Sequence, residues 1–348
     1  MNTAETMPST ITNVEELETA LSAPPAYLIE MMGRLRGDLM IVGVAGKMGP
    51  SLAHMAQRAS DMAGVKRRII GVARFSKPEE QAKLRAWGIE TIRCDLLDPA
   101  ALDQLPDVAN IIYMAGMKFG SSGNLALTWA MNTLLPAMVC RKYGRSRIVA
   151  FSTGNVYGLT PVARGGSREA DPPQPQGEYA MSCLGRERTF EYFSNTASMA
   201  VTLIRLNYAC ELRYGVLVDM ARKVLADEPI DLTMGNFNVI WQGDANAMAL
   251  ASLEHAGRPG FVLNVAGPEL LSVRNISERL GQLLEHPVKF TGAEAPDALL
   301  SNGQLSHHLY GYPRVSVECL LEWVAKWVKR GGESLNKPTH FETRSGQF

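Results

Sequence analysis

Short apolar runs alternate with helix-forming segments through residues 39–206 of this 348-residue chain. Strands that are apolar along their whole length are typical of parallel sheets with helices on both faces. Because crossovers between parallel strands are right-handed, the alternation predicts an α/β fold with a doubly wound parallel sheet. The runs are, in order, DLMIVGVAG, RRIIGVA, IETIRCD, ANIIYMAG, SRIVAFST and AVTLIRL.

The rest of the chain predicts a smaller lobe and two flanking segments. Apolar residues at helical spacing, broken by Pro24-Pro25, indicate an N-terminal helical extension over residues 1–38. Residues 207–330 mix strands with amphipathic helices, and we expect a C-terminal α/β substrate lobe that partly returns to the sheet. The polar residues 331–348 are expected to form an extended tail.

A glycine pattern, Gly43-x-x-Gly46-x-x-Gly49, lies between the first strand and the first helix of the alternation. Glycines permit a tight turn, let the backbone approach a pyrophosphate and let the helix pack closely on the strand. The helix N-terminus then offers free N–H groups to the anion. Although an ordinary glycine-rich turn is the alternative, the context predicts a dinucleotide-binding Rossmann domain over residues 39–206, with Lys47 and Met48 in the binding turn.

The residues after the second strand bear on which dinucleotide is bound. An acidic residue there would accept hydrogen bonds from the adenosine ribose and would repel a 2′-phosphate. This chain has Ala73-Arg74-Phe75-Ser76 instead, and Arg74 offers a planar, permanently charged group to a phosphate. We therefore expect NADP as the cofactor, with NAD as the other candidate; a solvated loop position is the alternative role for Arg74.

Further motifs resemble those of a known family. The segment 152–158, STGNVYG, resembles the S-S/T-x-x-V-Y-G signature of the extended short-chain dehydrogenase/reductase family, also called the NAD-dependent epimerase/dehydratase family. The resemblance extends from about Leu39 to about Arg330. It implies cofactor contacts by Asp95 and Leu96 near adenine, by Met114, Ala115, Gly116 and Lys118 after the fourth strand, by Asn132 on the next helix, by Tyr179, and by Asn207 after the sixth strand.

The same resemblance implies three catalytic positions, which here hold Thr153, Tyr179 and Cys183. Thr153 would hold the substrate oxygen and Tyr179 would exchange its proton. In the family a lysine normally occupies position 183, and its ammonium would favour the tyrosine phenolate, whose ordinary pKa is near ~10. A neutral thiol has no such effect, so Arg186 or Lys118 would have to supply the charge. We expect the thiol itself to be a small helix residue rather than a nucleophile.

The smaller lobe bears on the substrate. Family members that act on nucleotide sugars usually carry an arginine for the diphosphate where this chain has Phe237, and a phenyl ring cannot replace that charge. We therefore expect a small polyol, sugar acid or keto-sugar rather than a nucleotide sugar. The expected substrate contacts are Lys118, Asn155, Tyr208 and Arg213, although core packing would account for Tyr208 equally well.

Composition argues against several other classes of protein. Lys plus Arg and Asp plus Glu each number 35, so the chain lacks the basic excess of a nucleic-acid binder. The five cysteines are scattered without a C-x-x-C pair, which argues against a zinc site. The polar start differs from a secretory signal, and no run approaches the ~20 apolar residues of a membrane span. These features predict a cytoplasmic protein without metal, nucleic-acid or membrane partners.

Two functions follow from these patterns. The first is an NAD(P)-dependent oxidoreductase or epimerase acting on a secondary alcohol or ketone of a small carbohydrate-like molecule. The second is a non-catalytic NADP(H)-binding redox sensor or assembly module. This alternative arises because Cys183 stands where the resemblance implies a catalytic lysine. The family often pairs through helices that correspond to residues 124–143 and 179–195, so the resemblance implies a homodimer. The tail segment 339–341 could fold over the site or onto a partner subunit.

Overall fold

A parallel sheet of seven strands forms the centre of the molecule. The computed structural model describes residues 7–118, 123–197 and 199–346. The strands are β1 (Leu39–Val42), β2 (Ile69–Ala73), β3 (Glu90–Arg93), β4 (Asn110–Tyr113), β5 (Arg147–Thr153), β6 (Ala200–Leu206) and β7 (Phe261–Val265). Their order across the sheet is β3-β2-β1-β4-β5-β6-β7, and every neighbouring pair is parallel. The order reverses beside β1, as the doubly wound prediction requires.

Helices cover both faces of this sheet and build the smaller lobe. They are α1 (Val14–Leu21), α2 (Ala26–Arg34), α3 (Gly49–Met62), α4 (Pro78–Ala86), α5 (Pro99–Asp103), α6 (Leu125–Trp129), α7 (Leu135–Lys142), α8 (Gly177–Thr196), α9 (Val216–Leu225), α10 (Gln242–Ala251), α11 (Val273–Leu284), α12 (Gln304–Tyr310) and α13 (Val317–Lys329). None of the helices in the described ranges is long and apolar enough to cross a membrane.

Alternate strand residues pack into two separate cores, one on each face of the sheet. Leu39 and Ile41 of β1 pack in a cluster with residues of α2, α3 and α10. Met40 and Val42 belong to the opposite cluster, with residues of α5, α7 and α8. This alternation follows from the period of two in a strand, and it gives the helix–sheet–helix layers that the sequence predicts.

The smaller lobe has a core of its own, which also includes parts of both chain ends. Its helices α1, α9, α11 and α13 pack around Trp241 and Trp323, whose ring centroids are 5.4 Å apart. Phe341 of the tail is 1% exposed in this core. Its strands are two-residue pairs: Thr160–Pro161 with Asp297–Ala298, Ala209–Cys210 with Ile240–Trp241, Ile230–Asp231 with Phe290–Thr291, and Asn236–Phe237 with Leu271–Ser272.

The long helix expected over residues 124–143 is not uniformly α-helical. A π-helical stretch, Ala130–Leu134, separates α6 from α7. A π turn inserts one extra residue into a helix, and such turns are frequent at functional sites. Asn132, which is fully buried, lies within this stretch.

Candidate active site

The glycine turn packs so tightly that side chains cannot be added at its two ends. Gly43 has a φ of +88°, and a Cβ there would lie 2.7 Å from the backbone nitrogen of Ala115. A Cβ on Gly49 would lie 2.1 Å from the carbonyl oxygen of Val44. Between them, Gly46 N donates to Gly43 O across 3.1 Å. The start of the turn therefore packs against the residues that follow β4, and the N-terminus of α3 packs against Val44, just after β1. This arrangement fits a pyrophosphate.

The ends of β2 and β3 form the side of the turn where adenosine would lie. Cys94 N donates to Ala73 O across 3.0 Å, which holds the two strand ends together. Arg74 is exposed, whereas the next residue, Phe75, is buried with a φ of +47°. Asp95 is exposed and accepts from Leu97 N at 3.1 Å, and Leu96 is buried. These placements leave the Arg74 guanidinium available to a phosphate.

A cavity of about 150 Å³ lies where β5 and β6 end, and we call it the carboxyl-edge cavity. Residues of the Rossmann domain, the smaller lobe and the tail meet in it. Its lining comprises Lys47, Met48, Lys118, Ser152, Thr153, Asn155, Tyr179, Leu206, Asn207, Tyr208, Ala209, Tyr214, Gly215, Val216 and Thr339. Because the carboxyl ends of parallel strands are where ligands bind in open α/β sheets, this cavity is the candidate active site.

Tyr179 stands in the carboxyl-edge cavity with its hydroxyl hydrogen-bonded to Thr153 and Cys183. Burial holds the pKa of Tyr179 well above its usual value, and the neighbouring Cys183 raises it further. Arg186 and the hydrogen bond with Thr153 act in the opposite direction without reversing the shift. The phenol is therefore protonated at neutral pH and is poised to donate a hydrogen bond or a proton.

Both cations named from the sequence lie close to Tyr179. Lys118 Nζ is 5.9 Å from the centroid of the tyrosine ring, and burial lowers the pKa of this lysine to about 8. Arg186 donates from Nη1 to Phe151 O across 2.8 Å and from Nη2 to Asn132 Oδ1. A Cβ on Gly116 would lie 2.2 Å from Arg186 Nη2, so the guanidinium fills the space behind that glycine.

Lys47 leaves the glycine turn and reaches across to the smaller lobe. Its Nζ donates to Ala209 O across 3.1 Å and lies 3.7 Å from the centroid of the Tyr214 ring. Burial lowers the pKa of Lys47 to about 8, and the nearby ammonium of Lys118 acts in the same direction. Two cations thus face the carboxyl-edge cavity, and no carboxylate belongs to its described lining.

Asn132 lies outside the carboxyl-edge cavity, and its amide holds a neighbouring segment in place. Its Oδ1 accepts from Met117 N at 2.9 Å, and its Nδ2 donates to Met117 O at 3.0 Å and to Ser182 Oγ at 2.9 Å. The segment that it fixes, 114–118, contains Lys118. These contacts make Asn132 a positioning residue between that segment and α8.

Two other residues named from the sequence are also outside the cavity. Cys183 is fully buried against Val156 and Tyr157, and burial raises the pKa of its thiol, which agrees with an inert helix residue. Arg213 is not part of the cavity lining, although the sequence predicts that it contacts the substrate. Its guanidinium donates to Glu18 and Glu211, each at 3.0 Å, so it joins the N-terminal helix α1 to the smaller lobe.

A buried polar network behind Thr153 could not be foreseen from the family motif alone. Glu187, which is fully buried, accepts from Ser152 Oγ and forms an ion pair with Arg205. Arg205 Nη1 donates to Tyr157 OH across 2.9 Å, and that hydroxyl donates to Asn264 Oδ1 across 2.7 Å. One sequence feature could have indicated this network. Glu187 follows Tyr179 by about two helical turns and therefore lies on roughly the same side of α8.

Comparison with known proteins establishes the family. The model of the NAD dependent epimerase/dehydratase family matches residues 39–266, and the chain belongs to this family. A search among curated proteins finds no match. The predictions of the family and of the Rossmann fold are therefore confirmed.

Solved structures similar to this one share the whole fold at low sequence identity. The dTDP-glucose 4,6-dehydratase DesIV from Streptomyces venezuelae, with NAD and TYD bound, is 18% identical, with a TM-score of 0.71 over 84% of this chain and 97% of that chain. A UDP-glucuronic acid 4-epimerase from Bacillus cereus, in complex with UDP-glucuronic acid and NAD, is 17% identical, with a TM-score of 0.69 over 84% and 99%. A UDP-glucose 4-epimerase from Thermus thermophilus, in complex with NAD, is 18% identical, with a TM-score of 0.67 over 84% and 99%.

Proposed function

We propose that the protein is an NAD(P)-dependent oxidoreductase or epimerase acting on a secondary alcohol or ketone of a small carbohydrate-like molecule. The observation that carries the proposal is the meeting of Thr153 and Tyr179 in the carboxyl-edge cavity, beside the glycine turn. A nicotinamide cofactor on that turn would supply or accept a hydride at a carbon held in the cavity.

The chain's own residues would handle the substrate oxygen and its proton. Thr153 would donate a hydrogen bond to that oxygen, and Tyr179 would give it a proton when a ketone is reduced. Because burial raises the pKa of Tyr179, the protonated form is the resting one, and this is the form that would give a proton to the oxygen of a ketone during reduction. In the oxidative direction, Lys118 and Arg186 would stabilise the phenolate that must form first.

The size of the site supports a small substrate. The carboxyl-edge cavity holds about 150 Å³, and Thr339 of the tail forms part of its wall. Phe237, at the position where an arginine would grip a diphosphate, is fully buried in the core of the smaller lobe. The similar structures are named for nucleotide sugars, however, so UDP-sugars and dTDP-sugars belong in the same substrate panel as sugar acids and polyols.

The environment of Arg74 supports NADP as the preferred cofactor. Its side chain is exposed at the end of β2, and residues 73–77 contain no carboxylate that would repel a 2′-phosphate. The similar structures hold NAD, so both dinucleotides should be compared.

The deciding experiment measures turnover with both cofactors. Purified protein is incubated with each substrate of the panel while the absorbance of the reduced nicotinamide is recorded. Turnover that falls at least about 100-fold in Tyr179→Phe supports the proposal, since general acid–base catalysis contributes roughly that much or more. Tyr312→Phe, at a position that is 73% exposed and outside the cavity lining, is the matched control and should keep full activity. Cofactor binding without turnover on any substrate would favour the redox sensor.

We also propose a homodimer formed through the helices at 124–143 and 179–195. Large apolar side chains are exposed on these helices, among them Leu134 at 56% and Tyr192 at 63%. The others are Leu125, Leu127, Trp129 and Met181. Several large exposed apolar side chains on two neighbouring helices are a feature expected of a protein interface. Leu134→Asp should convert a dimer to a monomer in sedimentation, and a monomeric native protein would refute the proposal.

A further inference from the structure

A second cavity, of about 430 Å³, lies at the opposite edge of the sheet from the carboxyl-edge cavity. Asn110, Arg147 and Ala200 line it, and they are the first residues of β4, β5 and β6. Thr153 and Leu206, which line the other cavity, are the last residues of β5 and β6. The two cavities are therefore separated by the length of the strands.

Five arginines line this second cavity, which we call the arginine cavity. They come from three parts of the chain: the segment before β1, the start of β5, and the loop before β7. They are Arg34, Arg36, Arg145, Arg147 and Arg258. The one carboxylate in the lining is Glu254, whose Oε1 lies 2.9 Å from Arg34 Nη2.

The other four arginine side chains are exposed and unpaired. Within the described ranges, Arg36, Arg145, Arg147 and Arg258 form neither an ion pair nor a side-chain hydrogen bond. The whole chain has a net charge of zero, so this edge carries a local positive excess. An adjoining cavity shares Arg145 and adds two cations, Arg141 and Lys142, against one carboxylate, Asp107, so its lining also carries a net positive charge. Converging like charges repel one another, and an anion between them would relieve that repulsion.

We propose that the arginine cavity binds a small, highly charged phosphate anion, such as an oligophosphate chain. A guanidinium presents paired N–H donors that match phosphate oxygens, and several guanidiniums around one concavity can hold successive phosphates. The volume lies in the range of small-molecule sites, roughly 300–1,000 Å³, and the concave shape favours a compact ligand over a nucleic-acid helix. The phosphates could belong to inorganic oligophosphate or to the tail of a nucleotide.

Calorimetric titration of the full-length protein with tripolyphosphate tests this proposal. Arg145→Ala/Arg147→Ala should weaken binding by at least about tenfold, since two exposed charge contacts together contribute about 1.4 kcal/mol. Arg164→Ala/Arg168→Ala removes the same charge from an exposed loop elsewhere and should bind as the native protein does. An anion held at the glycine turn would be retained equally in all three proteins. Equal affinities in the three proteins would overturn the proposal.

A second pair and a second ligand complete the test. Arg36→Ala/Arg258→Ala removes two lining arginines from other parts of the chain and should weaken binding by a comparable factor. This variant tests the proposal if Arg145→Ala/Arg147→Ala folds poorly. Raising the salt concentration should weaken the arginine-dependent binding, because exposed charges are screened. Adenosine triphosphate titrated in parallel identifies the source: equal affinity for both ligands indicates the phosphate chain alone, and tighter nucleotide binding indicates a contact with the nucleoside.

Discussion

Arg205 and Glu187 form an ion pair that is almost completely shielded from solvent, with Nη2 of the arginine 2.7 Å from Oε2 of the glutamate. The two side chains are 4% and 0% exposed. Arg205 lies on β6 and Glu187 on α8, and the same carboxylate accepts from Ser152 on β5. The pair therefore fixes the helix that carries Tyr179 against β6, and the hydrogen bond from Ser152 ties the same helix to β5, the strand that carries Thr153.

We predict that Glu187→Gln destabilises the protein by about 3–5 kcal/mol. The change leaves the Arg205 guanidinium buried without a counter-charge. The cost of keeping that charge out of water makes the variant much less stable than the loss of an exposed ion pair would. The free energy of unfolding in urea measures it. Glu191→Gln, in the exposed pair with Arg188 on the same helix, should change stability by less than about 0.5 kcal/mol. A small effect of Glu187→Gln would mean that water reaches the pair.

Restoring the family lysine is expected to damage the protein rather than to improve it. In Cys183→Lys a further cation would enter a buried space beside Arg186 and near Lys118. Burying an unpaired charge costs several kcal/mol, so the melting temperature should fall and activity should not rise. Cys183→Ser, which keeps the size and a hydroxyl partner for Tyr179, is the control and should lose less stability. A stable and more active Cys183→Lys protein would show instead that the native site has decayed.

The sheet could be predicted from the sequence because its signals are local. Each strand is a short apolar run, and the alternation with helices decides the layers without knowledge of distant contacts. The positions of Thr153 and Tyr179 were likewise predictable, since a motif of neighbouring residues marks each. The structure adds that their side chains meet in one cavity.

The remaining site residues depend on packing between distant segments. Tyr214 lines the cavity only because the smaller lobe folds back onto the Rossmann domain. Thr339 lines it because the tail folds over the site, which is one of the two placements that the sequence leaves open for residues 339–341. The sequence predicts a substrate contact from Arg213. Its charge is instead matched by Glu211 and by Glu18, which is 195 residues away in the sequence. No local pattern could indicate that partner.

Cofactor preference should follow the charge at position 74. Arg74→Asp removes the group available to a 2′-phosphate and adds a carboxylate that would accept from ribose hydroxyls. We expect the dissociation constant for NADPH to rise about 10- to 100-fold, while that for NADH stays level or falls, because a charged hydrogen bond contributes about 1.5–3 kcal/mol. Fluorescence titration measures both. Arg164→Asp controls for charge alone, and an unchanged preference in Arg74→Asp would refute NADP selectivity.

Cofactor or substrate binding through Lys118 should weaken above pH 8. Burial lowers the pKa of Lys118 to about 8, so the ammonium is mostly present at pH 7 and is lost as the pH rises through 8 to 9. An anion or carbonyl oxygen bound by that ammonium loses its partner over the same interval. Dissociation constants measured from pH 6.5 to 9.5 should be flat at first and then rise, by up to about tenfold per pH unit.

Substitutions of single lysines show which side chain causes that pH dependence. Lys118→Met should bind more weakly at pH 7 and show a flatter profile. Any slope that remains would belong to Lys47, whose pKa is also lowered to about 8. Lys66→Met, at an exposed position in the loop after α3, should leave the profile unchanged. A rise that persists in the double variant Lys47→Met/Lys118→Met would exclude both lysines as its source.

The tail should be needed both for stability and for the wall of the candidate active site. Thr339 donates from its backbone nitrogen and its Oγ1 to Asp219 Oδ2, across 2.8 and 2.6 Å, and Phe341 is inserted into the core of the smaller lobe. Phe341→Ala should therefore cost about 3–5 kcal/mol of unfolding free energy. Because Thr339 lines the cavity, loosening the tail should raise KM more than it lowers kcat. His340→Asn, between the two anchors and exposed with a φ of +53°, is tolerated by that backbone and should match the native protein. Native stability and KM in Phe341→Ala would show that the tail is dispensable.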